Sequence, residues 1–352
     1  MLTGCGAPGA RGIVQCLRLN GERGITIIGT DIREENPGAL LVDMFYRVPR
    51  PISSDFIPII QMICKDNQVS VILPLVTKEL TAFSYSRVAL RLQGINVPIS
   101  SIEVLSVANN KARLLEVLWG RLPIPRFYVV KSLSAFKHAV SSLGFPEKAV
   151  CFKPPSSNGS RGFRILNESI DQLDLLLNRK PTNVYISYNA LLLILEKASR
   201  EDFPELVVME YLPGPEYSVD MLVDNGHPIY TIPRRRNVIT AGISTVCTTE
   251  HNTKVITYCN CVAEALGLHG NIGMQVKADE HGCYELLEIN PRLQGSTVLC
   301  CKAGVNLPYL GVKLALGEPI PRNFKVRWGL RMHRIYNEVY FQPQKEHDEG
   351  ES

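Results

Sequence analysis

A polar hairpin late in the chain, residues 271–292 (NIGMQVKADEHGCYELLEINPR), restricts the possible folds more than any other stretch. Its first half alternates hydrophobic residues with small or polar ones, DEHG reverses the chain, and CYELLEIN runs back. The hydrophobic positions of the first half are Ile272, Met274 and Val276. Alternation on both sides of a turn predicts two antiparallel strands.

The turn decides which side chains of the two strands lie together. A turn centred between the second and third residues of DEHG places Gln275 opposite Leu286. Because side chains alternate between the two faces of a strand, Leu286, Glu288 and Asn290 are predicted to share one face. Gln275 then lies on that face too, one diagonal step from Glu288.

One surface would therefore carry three oxygen ligands, those of Gln275, Glu288 and Asn290. Carboxylate and amide oxygens suit a hard cation such as Mg²⁺, which keeps several waters and takes its other ligands from nucleotide phosphates. A polar stripe on the solvent face of a hairpin is the alternative, since magnesium sites have no strict spacing. Taken alone, the hairpin leaves both interpretations open.

The sequence EINPR, followed directly by LQGS, resembles the ATP-grasp superfamily, and most closely the unit repeated in the large chain of carbamoyl-phosphate synthetase. The resemblance extends from Thr3 to about Phe341. It implies that Gln275, Glu288 and Asn290 hold the Mg²⁺ (or Mn²⁺) ions that bridge the phosphates of ATP. Many relatives have an acid at the first of these positions, so Gln275 follows the synthetase-like pattern.

Length and composition are those of an ordinary globular protein. A chain of 352 residues suffices for two or three packed units, and 45% hydrophobic with 20% charged residues can bury a large core. A net charge of +4 gives no reason to expect nucleic acid or a membrane as a partner. The ten cysteines include no CxxC pair, which favours reduced thiols and a cytoplasmic location.

Three segments of the chain differ in pattern. Residues 1–98 alternate short strands and helices, which predicts a doubly wound α/β domain of Rossmann-like type. The resemblance implies that residues 99–341 form an ATP-grasp fold of two α+β subdomains, with a lid subdomain at about 125–210. The last residues, 342–352, are polar and charged, as is typical of a disordered tail.

A glycine-rich turn near the start allows two interpretations. Gly4, Gly6 and Gly9 match G-x-G-x-x-G, and Asp31 follows about 20 residues later, as a dinucleotide-binding fingerprint requires. The resemblance implies instead a turn that helps to shape the pocket for the acceptor substrate. Glu79, which follows the strand VSVILPLV, is either a ligand for an amine there or a first-turn acid stabilised by the helix dipole.

Phosphate contacts are predicted from two lysines and a loop. Lys153 ends an apolar strand and precedes SSNGSRG, whose small residues let backbone N–H groups approach phosphate oxygens. Because the lysine precedes the glycines, this is not a P-loop. The resemblance implies that Lys153 contacts the phosphates of ATP, that the loop with Ser160 and Gly162 closes over them, and that Lys111 reaches the nucleotide. The alternatives are an exposed hairpin turn for the loop and a helix-surface position for Lys111.

The segment VVMEYLPGPE is predicted to hold the nucleoside. VVMEYL is predicted to be a strand. The resemblance implies that Glu210, Tyr211 and Leu212 at its end form a hinge that sandwiches adenine, and that Glu216 takes the ribose hydroxyls. An acid at the start of the next strand is the plainer interpretation of Glu216.

Arginines are the predicted catalytic residues. An arginine fork suits a carboxylate or an acyl phosphate through paired N–H donors, and Arg234, Arg235 and Arg236 stand together. Runs of charge are more often solvated, so we expect one of the three, Arg236, to enter the site. Arg292 follows Asn290 by two residues, and we expect it to contact the transferring phosphoryl group.

These features predict an ATP-dependent ligase that joins a small-molecule carboxylate to an amine through an acyl phosphate, releasing ADP and phosphate. The alternatives are phosphorylation of bicarbonate or carbamate, as in carbamoyl-phosphate synthetase, and a dinucleotide-binding oxidoreductase or sensor. A homodimer is the commonest closed assembly for such a protein.

Overall fold

The computed structural model describes residues 1–156, 161–179, 183–198 and 202–341. Ser160, most of the loop around it, and the predicted tail 342–352 lie outside the described residues. The helices of the described residues are α1 Ala10–Arg18, α2 Phe56–Asp66, α3 Thr77–Leu92, α4 Ile102–Ala108, α5 Lys111–Leu118, α6 Leu133–Ser142, α7 Gln172–Asn178, α8 Tyr188–Leu195, α9 Thr253–Leu266, α10 Val298–Lys302 and α11 Leu307–Ala315. The strands are β1 Leu2–Thr3, β2 Ile28–Asp31, β3 Met44–Arg47, β4 Leu73–Pro74, β5 Phe127–Val130, β6 Val150–Lys153, β7 Arg164–Leu166, β8 Leu206–Glu210, β9 Glu216–Asp224, β10 His227–Thr240, β11 Ile243–Thr249, β12 Gly270–Ala278, β13 Tyr284–Asn290 and β14 Arg331–His333.

A four-stranded parallel sheet of order β3-β2-β1-β4 begins the chain. Helices α2 and α3 pack against a hydrophobic cluster that includes Ile72, and α1 packs against another that includes Val71 and Leu73. Neighbouring residues of one segment thus contribute to different clusters, because successive side chains of an extended chain point to opposite faces. The predicted Rossmann-like start is confirmed.

Two antiparallel sheets follow. One has the order β5-β8-β6-β7 and packs against α6 and α8. The other has six strands in the order β13-β12-β9-β10-β11-β14, and α9 covers it through Val255, Tyr258 and Val262. A parallel α/β unit followed by two mixed units is the predicted fold class, which is confirmed.

The predicted register of the hairpin is wrong by two steps. The first arises at the turn, where Asp279 N donates to Cys283 O at 2.9 Å and the Asp279 carboxylate accepts from the N–H groups of His281 and Cys283. This closes a longer loop than predicted, so Ala278 pairs with Tyr284.

The second step is a β-bulge. Val276 pairs with Leu286 but Gln275 pairs with Glu288, so Leu287 is the additional residue of β13. Gln275 therefore lies directly opposite Glu288, closer than the diagonal position predicted. Leu286 does not share the face of Glu288 and Asn290 as predicted, because the bulge breaks the alternation and turns Leu286 into the hydrophobic core.

Candidate functional site

Three oxygen-bearing side chains meet at the exit of the hairpin, and their hydrogen bonds link them to two arginines. Asn290 Nδ2 donates to Glu288 Oε1 at 3.0 Å, and Asn290 Oδ1 accepts from Arg292 Nη2 at 3.0 Å. Gln275 Oε1 accepts from Arg236 Nη1 at 3.0 Å. The three side chains thus belong to two hydrogen-bonded groups, which meet where Gln275 pairs with Glu288 across the strands.

The donor set fits a hard cation. Gln275, Glu288 and Asn290 offer oxygens alone, one of them a carboxylate, which suits Mg²⁺ or Mn²⁺ more than a softer ion. With a single negative charge from the protein, such an ion would need phosphate oxygens and water to complete its shell. No cluster of three His, Cys, Asp or Glu side chains that could hold a metal ion occurs in the described part of the chain.

Two buried lysines approach the same strand. Lys153, at the end of β6, donates from Nζ to the carbonyl oxygen of Leu287 at 3.0 Å, so the bulge supplies its acceptor. Lys111, the first residue of α5, has its Nζ 3.7 Å from Glu288 Oε2. Each lysine exposes only 7% of its surface, and burial lowers the pKa of both, against the opposing effect of Glu288. Two buried cations beside one carboxylate form a site suited to additional negative charge.

Arg236 lies between the predicted ribose acid and the predicted metal ligands. Its Nη1 donates to Glu216 as well as to Gln275, while Nε donates to Ser244 at 2.9 Å and Nη2 to the Gly242 carbonyl at 2.7 Å. The guanidinium is held on all sides, and its side chain is only 4% exposed. Of the three neighbouring arginines, Arg236 is the one in this polar set.

Arg234 has a different environment. It is fully buried, donates from Nε to Asp220 at 2.5 Å and from Nη1 to Ser296 at 2.6 Å. Asp220 also accepts from the Thr297 hydroxyl at 2.7 Å. Arg235 is exposed. The alternation of β10 therefore sends adjacent arginines to separate environments.

Arg292 links the end of β13 to the start of α3, beside the first sheet. Its Nε donates to Thr77 Oγ1 at 3.0 Å, at the start of α3, and its Nη1 donates to the Leu293 carbonyl at 2.9 Å. Burial lowers the pKa of Arg292, and Glu288 opposes this shift. The guanidinium thus faces the junction between the parallel sheet and the hairpin.

The predicted adenine hinge follows β8. Glu210 is bound through both carboxylate oxygens to Arg126, at 2.7 Å to its N–H and 3.1 Å to its Nε. The Tyr211 N–H donates to the Ala149 carbonyl at 3.3 Å, and Lys277 Nζ lies 4.2 Å from the centre of the Tyr211 ring. Leu212 is buried at 3% exposure. The Glu210 N–H is also used within the protein, by the Arg126 carbonyl at 3.0 Å, so two of the hinge N–H groups already have protein acceptors.

Only part of the predicted phosphate loop is described. Gly162 has φ +73°, and a Cβ there would lie 2.6 Å from Pro154 Cδ, so the loop turns back closely on the residue after Lys153. A positive φ and this contact both favour glycine. Ser160 lies outside the described residues.

Family models match both ends of the chain. A model described as "PylC-like, N-terminal domain" matches residues 1–98, and one described as "ATP-grasp in the biosynthetic pathway with Ter operon" matches residues 202–338. Residues 202–338 thus carry an ATP-grasp domain, and residues 1–98 carry a PylC-like N-terminal domain. The resemblance predicted from EINPR and LQGS is thereby confirmed.

Solved structures share the fold of this chain at low sequence identity. N5-carboxyaminoimidazole synthetase of Staphylococcus aureus complexed with ADP superposes with a TM-score of 0.67 at 15% identity, over 95% of this chain and 81% of that one. A biotin carboxylase–βγ-ATP complex of Campylobacter jejuni gives 0.65 at 16% identity, over 92% and 73%. An L-amino acid ligase of Bacillus licheniformis gives 0.61 at 14%, over 90% and 73%. Comparison with curated protein sequences gave no match.

The glycine-rich turn near the start of the chain packs against other parts of the chain. The Gly6 N–H donates to Asp31 Oδ2 at 3.0 Å. A Cβ on Gly9 would lie 2.5 Å from Gly295 Cα, so the LQGS segment occupies the space in front of the third glycine. In a dinucleotide fingerprint the N–H groups at this helix start face a pyrophosphate. The Gly6 N–H and the space beside Gly9 are thus occupied by the chain itself, which disfavours the dinucleotide interpretation.

Arg334 is a residue of the site region that the sequence did not single out. It donates from Nη1 to the Pro8 carbonyl at 3.0 Å and from Nη2 to the Gly295 carbonyl at 2.8 Å. Its Nε is buried without a hydrogen-bond partner among the described residues. No spacing within MHRIYNE indicated these contacts, because both partners are distant in sequence.

Among the described residues, no helix has the length and apolar character needed to cross a bilayer.

Proposed function

We propose that this chain is an ATP-dependent ligase that activates a carboxylate as an acyl phosphate for attack by an amine. ADP and phosphate are the other products. The observation that carries the proposal is the set of Gln275, Glu288 and Asn290 on adjacent strands, with Arg236 bound to Gln275 and Arg292 bound to Asn290. Oxygen ligands and buried cations on one surface are the equipment that phosphoryl transfer from ATP requires.

The proposed reaction needs positioning and charge neutralisation more than a protein nucleophile. A carboxylate does not react with an amine at neutral pH, because its oxygen is a poor leaving group. Phosphorylation of the carboxylate gives an acyl phosphate, from which phosphate leaves readily when an amine attacks. Rate enhancement then comes from holding the reactants in line and stabilising the charge on the transferring group.

Each residue of the set has a proposed task. Gln275, Glu288 and Asn290 would hold the metal ion, which when bound neutralises phosphate charge. Lys153 and Lys111 are within reach of the same strand and supply fixed positive charge. The loop with Ser160 and Gly162, in a lid of about residues 125–210, would close over the phosphates.

The remaining groups would orient the nucleotide and the acid. Glu216 is proposed to accept from the ribose hydroxyls and Glu210, Tyr211 and Leu212 to enclose the base. Arg236, bound to both Glu216 and Gln275, would keep the ribose end and the metal end in register. Because the N–H groups of Glu210 and Tyr211 are already used, the base contacts must come from other groups of the hinge.

Arg292 is proposed to contact the phosphoryl group in transfer. It lies two residues beyond Asn290 and reaches Thr77 at the carboxyl end of the parallel sheet. Ligands of open parallel sheets bind outside the carboxyl ends of their strands, which would bring the acceptor substrate to this same guanidinium.

A second candidate function is phosphorylation of bicarbonate or carbamate. It is supported by the fold similarity to proteins named as a biotin carboxylase and an N5-carboxyaminoimidazole synthetase. The two candidates differ in the acid that stimulates ADP release.

An ADP-release screen tests the proposal. Amino acids and small carboxylates are offered in pairs, and bicarbonate is offered alone and with each amine, at fixed ATP and Mg²⁺. The ligase is supported if ADP release requires an organic acid and an amine together. ADP release that depends on bicarbonate supports the second candidate instead.

Glu288→Gln is the negative control for the screen, because it removes the carboxylate charge without changing the shape of the side chain. We expect ADP release to fall at least about 100-fold. Glu280→Gln, an exposed acid in the turn of the same hairpin, should behave as the unaltered protein. Equal rates for the two variants would show that the metal assignment is wrong. A shift in the thermal midpoint caused by Mg²⁺ and ATP together, present in Glu280→Gln and absent in Glu288→Gln, would support it independently of the reaction.

A further inference from the structure

Helix α1 and the segment that follows Arg292 run along each other at unusually close range. A Cβ on Gly9 would lie 2.5 Å from Gly295 Cα, and a Cβ on Gly12 would lie 2.8 Å from Val298 Cβ. Both distances are below ordinary van der Waals contact, so the approach is possible only because Gly9 and Gly12 have no side chain. The pairs Gly9–Gly295 and Gly12–Val298 advance by three residues in both segments, so the two segments run parallel here.

Two cysteines are the next pair along this contact. Cys16 lies four residues after Gly12 on α1, and Cys301 lies three residues after Val298 on α10, so each falls on the same helix face as its predecessor. The two thiols lie close enough for each to shift the pKa of the other. The Cys16 carbonyl also accepts from Asn306 Nδ2 at 2.7 Å, which attaches α1 to the residues that follow α10.

The two thiols differ in access and in proton affinity. Cys16 exposes 1% of its surface, whereas Cys301 is half-buried. Cys16, aided by neighbouring Lys302, lowers the pKa of Cys301, whereas Cys301 and burial raise the pKa of Cys16. An accessible sulfur that readily forms a thiolate, next to a second thiol, is the usual arrangement of a peroxide-sensitive pair.

The adjacent Cys300 belongs to a different environment. Its thiol donates to Asp220 Oδ2 at 3.3 Å, within the buried set that contains Arg234. Cys300 is fully buried, so it is neither accessible to an oxidant nor directed at α1. Of the two adjacent cysteines, Cys300 and Cys301, we therefore infer that Cys301 faces Cys16.

We propose that Cys16 and Cys301 form a reversible disulfide when the protein meets hydrogen peroxide, joining the first domain to the ATP-grasp part of the chain. The Cys301 thiolate attacks one oxygen of the peroxide, the O–O bond breaks, and the expelled hydroxide takes a proton to become water. Cys301 is then a sulfenic acid. The Cys16 thiol loses its proton and attacks that sulfur, the S–S bond forms, and hydroxide leaves as the second water. Two electrons pass from the two sulfurs to the peroxide.

The bond would close a loop of nearly the whole chain length. A disulfide that closes a long loop restricts the unfolded chain strongly. We expect the thermal midpoint to rise by about 5 °C on oxidation and to return on reduction. This inference concerns a side-chain pair outside the proposed ATP site and does not depend on the proposed function.

Peptide mapping of the intact protein provides the test. The full chain is treated with hydrogen peroxide, its remaining thiols are blocked, and it is digested with trypsin without reductant. Cys16 lies in the peptide GIVQCLR (12–18), and Cys301 lies in LQGSTVLCCK (293–302). The expected result is a cross-linked pair of these two peptides that separates on reduction, with fragment ions that assign the bond to Cys301. Absence of this pair from oxidised, folded protein, or a bond from Cys300, would overturn the proposal.

Variants separate the pair from general oxidation. Cys301→Ser should abolish the cross-link and the thermal shift, whereas Cys283→Ser, which removes an exposed thiol in the hairpin turn, should retain both. Cys16→Ser should stop the reaction at a sulfenic acid on Cys301, detected with a dimedone reagent. A sulfenic acid that appears on Cys283 but not on Cys301 in Cys16→Ser would contradict the assignment.

Discussion

Gln275 accepts a 3.0 Å hydrogen bond from Arg236, whose same nitrogen also donates to Glu216. One cation therefore connects the first proposed metal ligand with the acid proposed to bind the ribose. The connection crosses three neighbouring strands, β12, β9 and β10, and is possible because these strands pair in one sheet.

We expect Arg236→Lys to reduce kcat/KM for MgATP by about 100-fold, because a lysine cannot supply the fork that reaches Glu216, Ser244 and Gln275 together. Rates of ADP release at varied MgATP measure this effect. Arg235→Lys is the matched control, since Arg235 is exposed on the adjacent position of β10. If both variants retain the same kcat/KM, Arg236 has no part in binding the nucleotide.

Lys153→Met should abolish the thermal stabilisation by MgATP without lowering the midpoint of the free protein. A lysine held at 7% exposure by one carbonyl carries a desolvation cost, so its removal relieves the free protein while removing the proposed phosphate contact. Thermal scans with and without MgATP measure both effects. Lys148→Met removes an exposed lysine that pairs with Glu280 and should retain the stabilisation by nucleotide. A Lys153→Met protein that still responds to MgATP would contradict the role of this residue.

Arg234→Met should be destabilised by about 3–5 kcal/mol in free energy of unfolding, measured with urea. Removal of the guanidinium leaves the Asp220 carboxylate buried with only hydroxyl and thiol donors, from Thr297 and Cys300. Arg235→Met should change the free energy of unfolding by less than about 0.5 kcal/mol, because that side chain is exposed. Adding Asp220→Leu to Arg234→Met should recover part of the loss, and a double variant less stable than the single one would oppose this account.

Glu79 should make the protein less stable as pH rises. Burial raises the pKa of Glu79 from 4.5 to about 7, and the nearby charge of Asp31 adds to this shift. A 2.6 Å hydrogen bond from the Thr3 hydroxyl acts in the opposite direction. Between these two values the folded chain binds more protons than the unfolded chain, so its free energy of unfolding falls through this window. The loss is on the order of 3 kcal/mol above it.

Urea unfolding at pH 5 and pH 8 compares Glu79→Gln with the unaltered protein. The variant keeps an acceptor for Thr3 and has no charge to bury, so its stability relative to the unaltered protein should increase between the two pH values. Glu280→Gln, at an exposed site, should follow the unaltered protein at both. Parallel profiles for Glu79→Gln and the unaltered protein would contradict the raised pKa.

The sequence predicted the two strands that carry the candidate metal ligands but not the register between them. Gln275, Glu288 and Asn290 were recognised from EINPR and the alternation around it, which are local patterns. The bulge at Leu287 and the loop closed by Asp279 are set by backbone hydrogen bonds that no side-chain pattern records. For that reason Leu286 was predicted on the wrong face, and the carbonyl that holds Lys153 was not foreseen.

The choice among three adjacent arginines also required the structure. Alternation predicts that Arg234 and Arg236 share one face of β10, yet a shift in the pairing with β11 lies just after Arg236, and their partners differ. Arg234 meets Asp220 in the interior, whereas Arg236 meets Glu216 near the edge of the site. The neighbouring strands therefore decide that Arg234 pairs with an acid in the interior and that Arg236 lies at the candidate site.

The sequence by itself determined the parallel first unit, the hairpin and the resemblance to ATP-grasp proteins, because strand alternation, helix periodicity and short motifs depend on neighbours along the chain. Tertiary structure decided which distant groups meet: Thr77 with Arg292, Lys153 with the Leu287 carbonyl, and Gly9 with Gly295. These contacts arise from the packing of three sheets against one another. A residue's chemistry is thus encoded locally, while its partner is fixed by the whole fold.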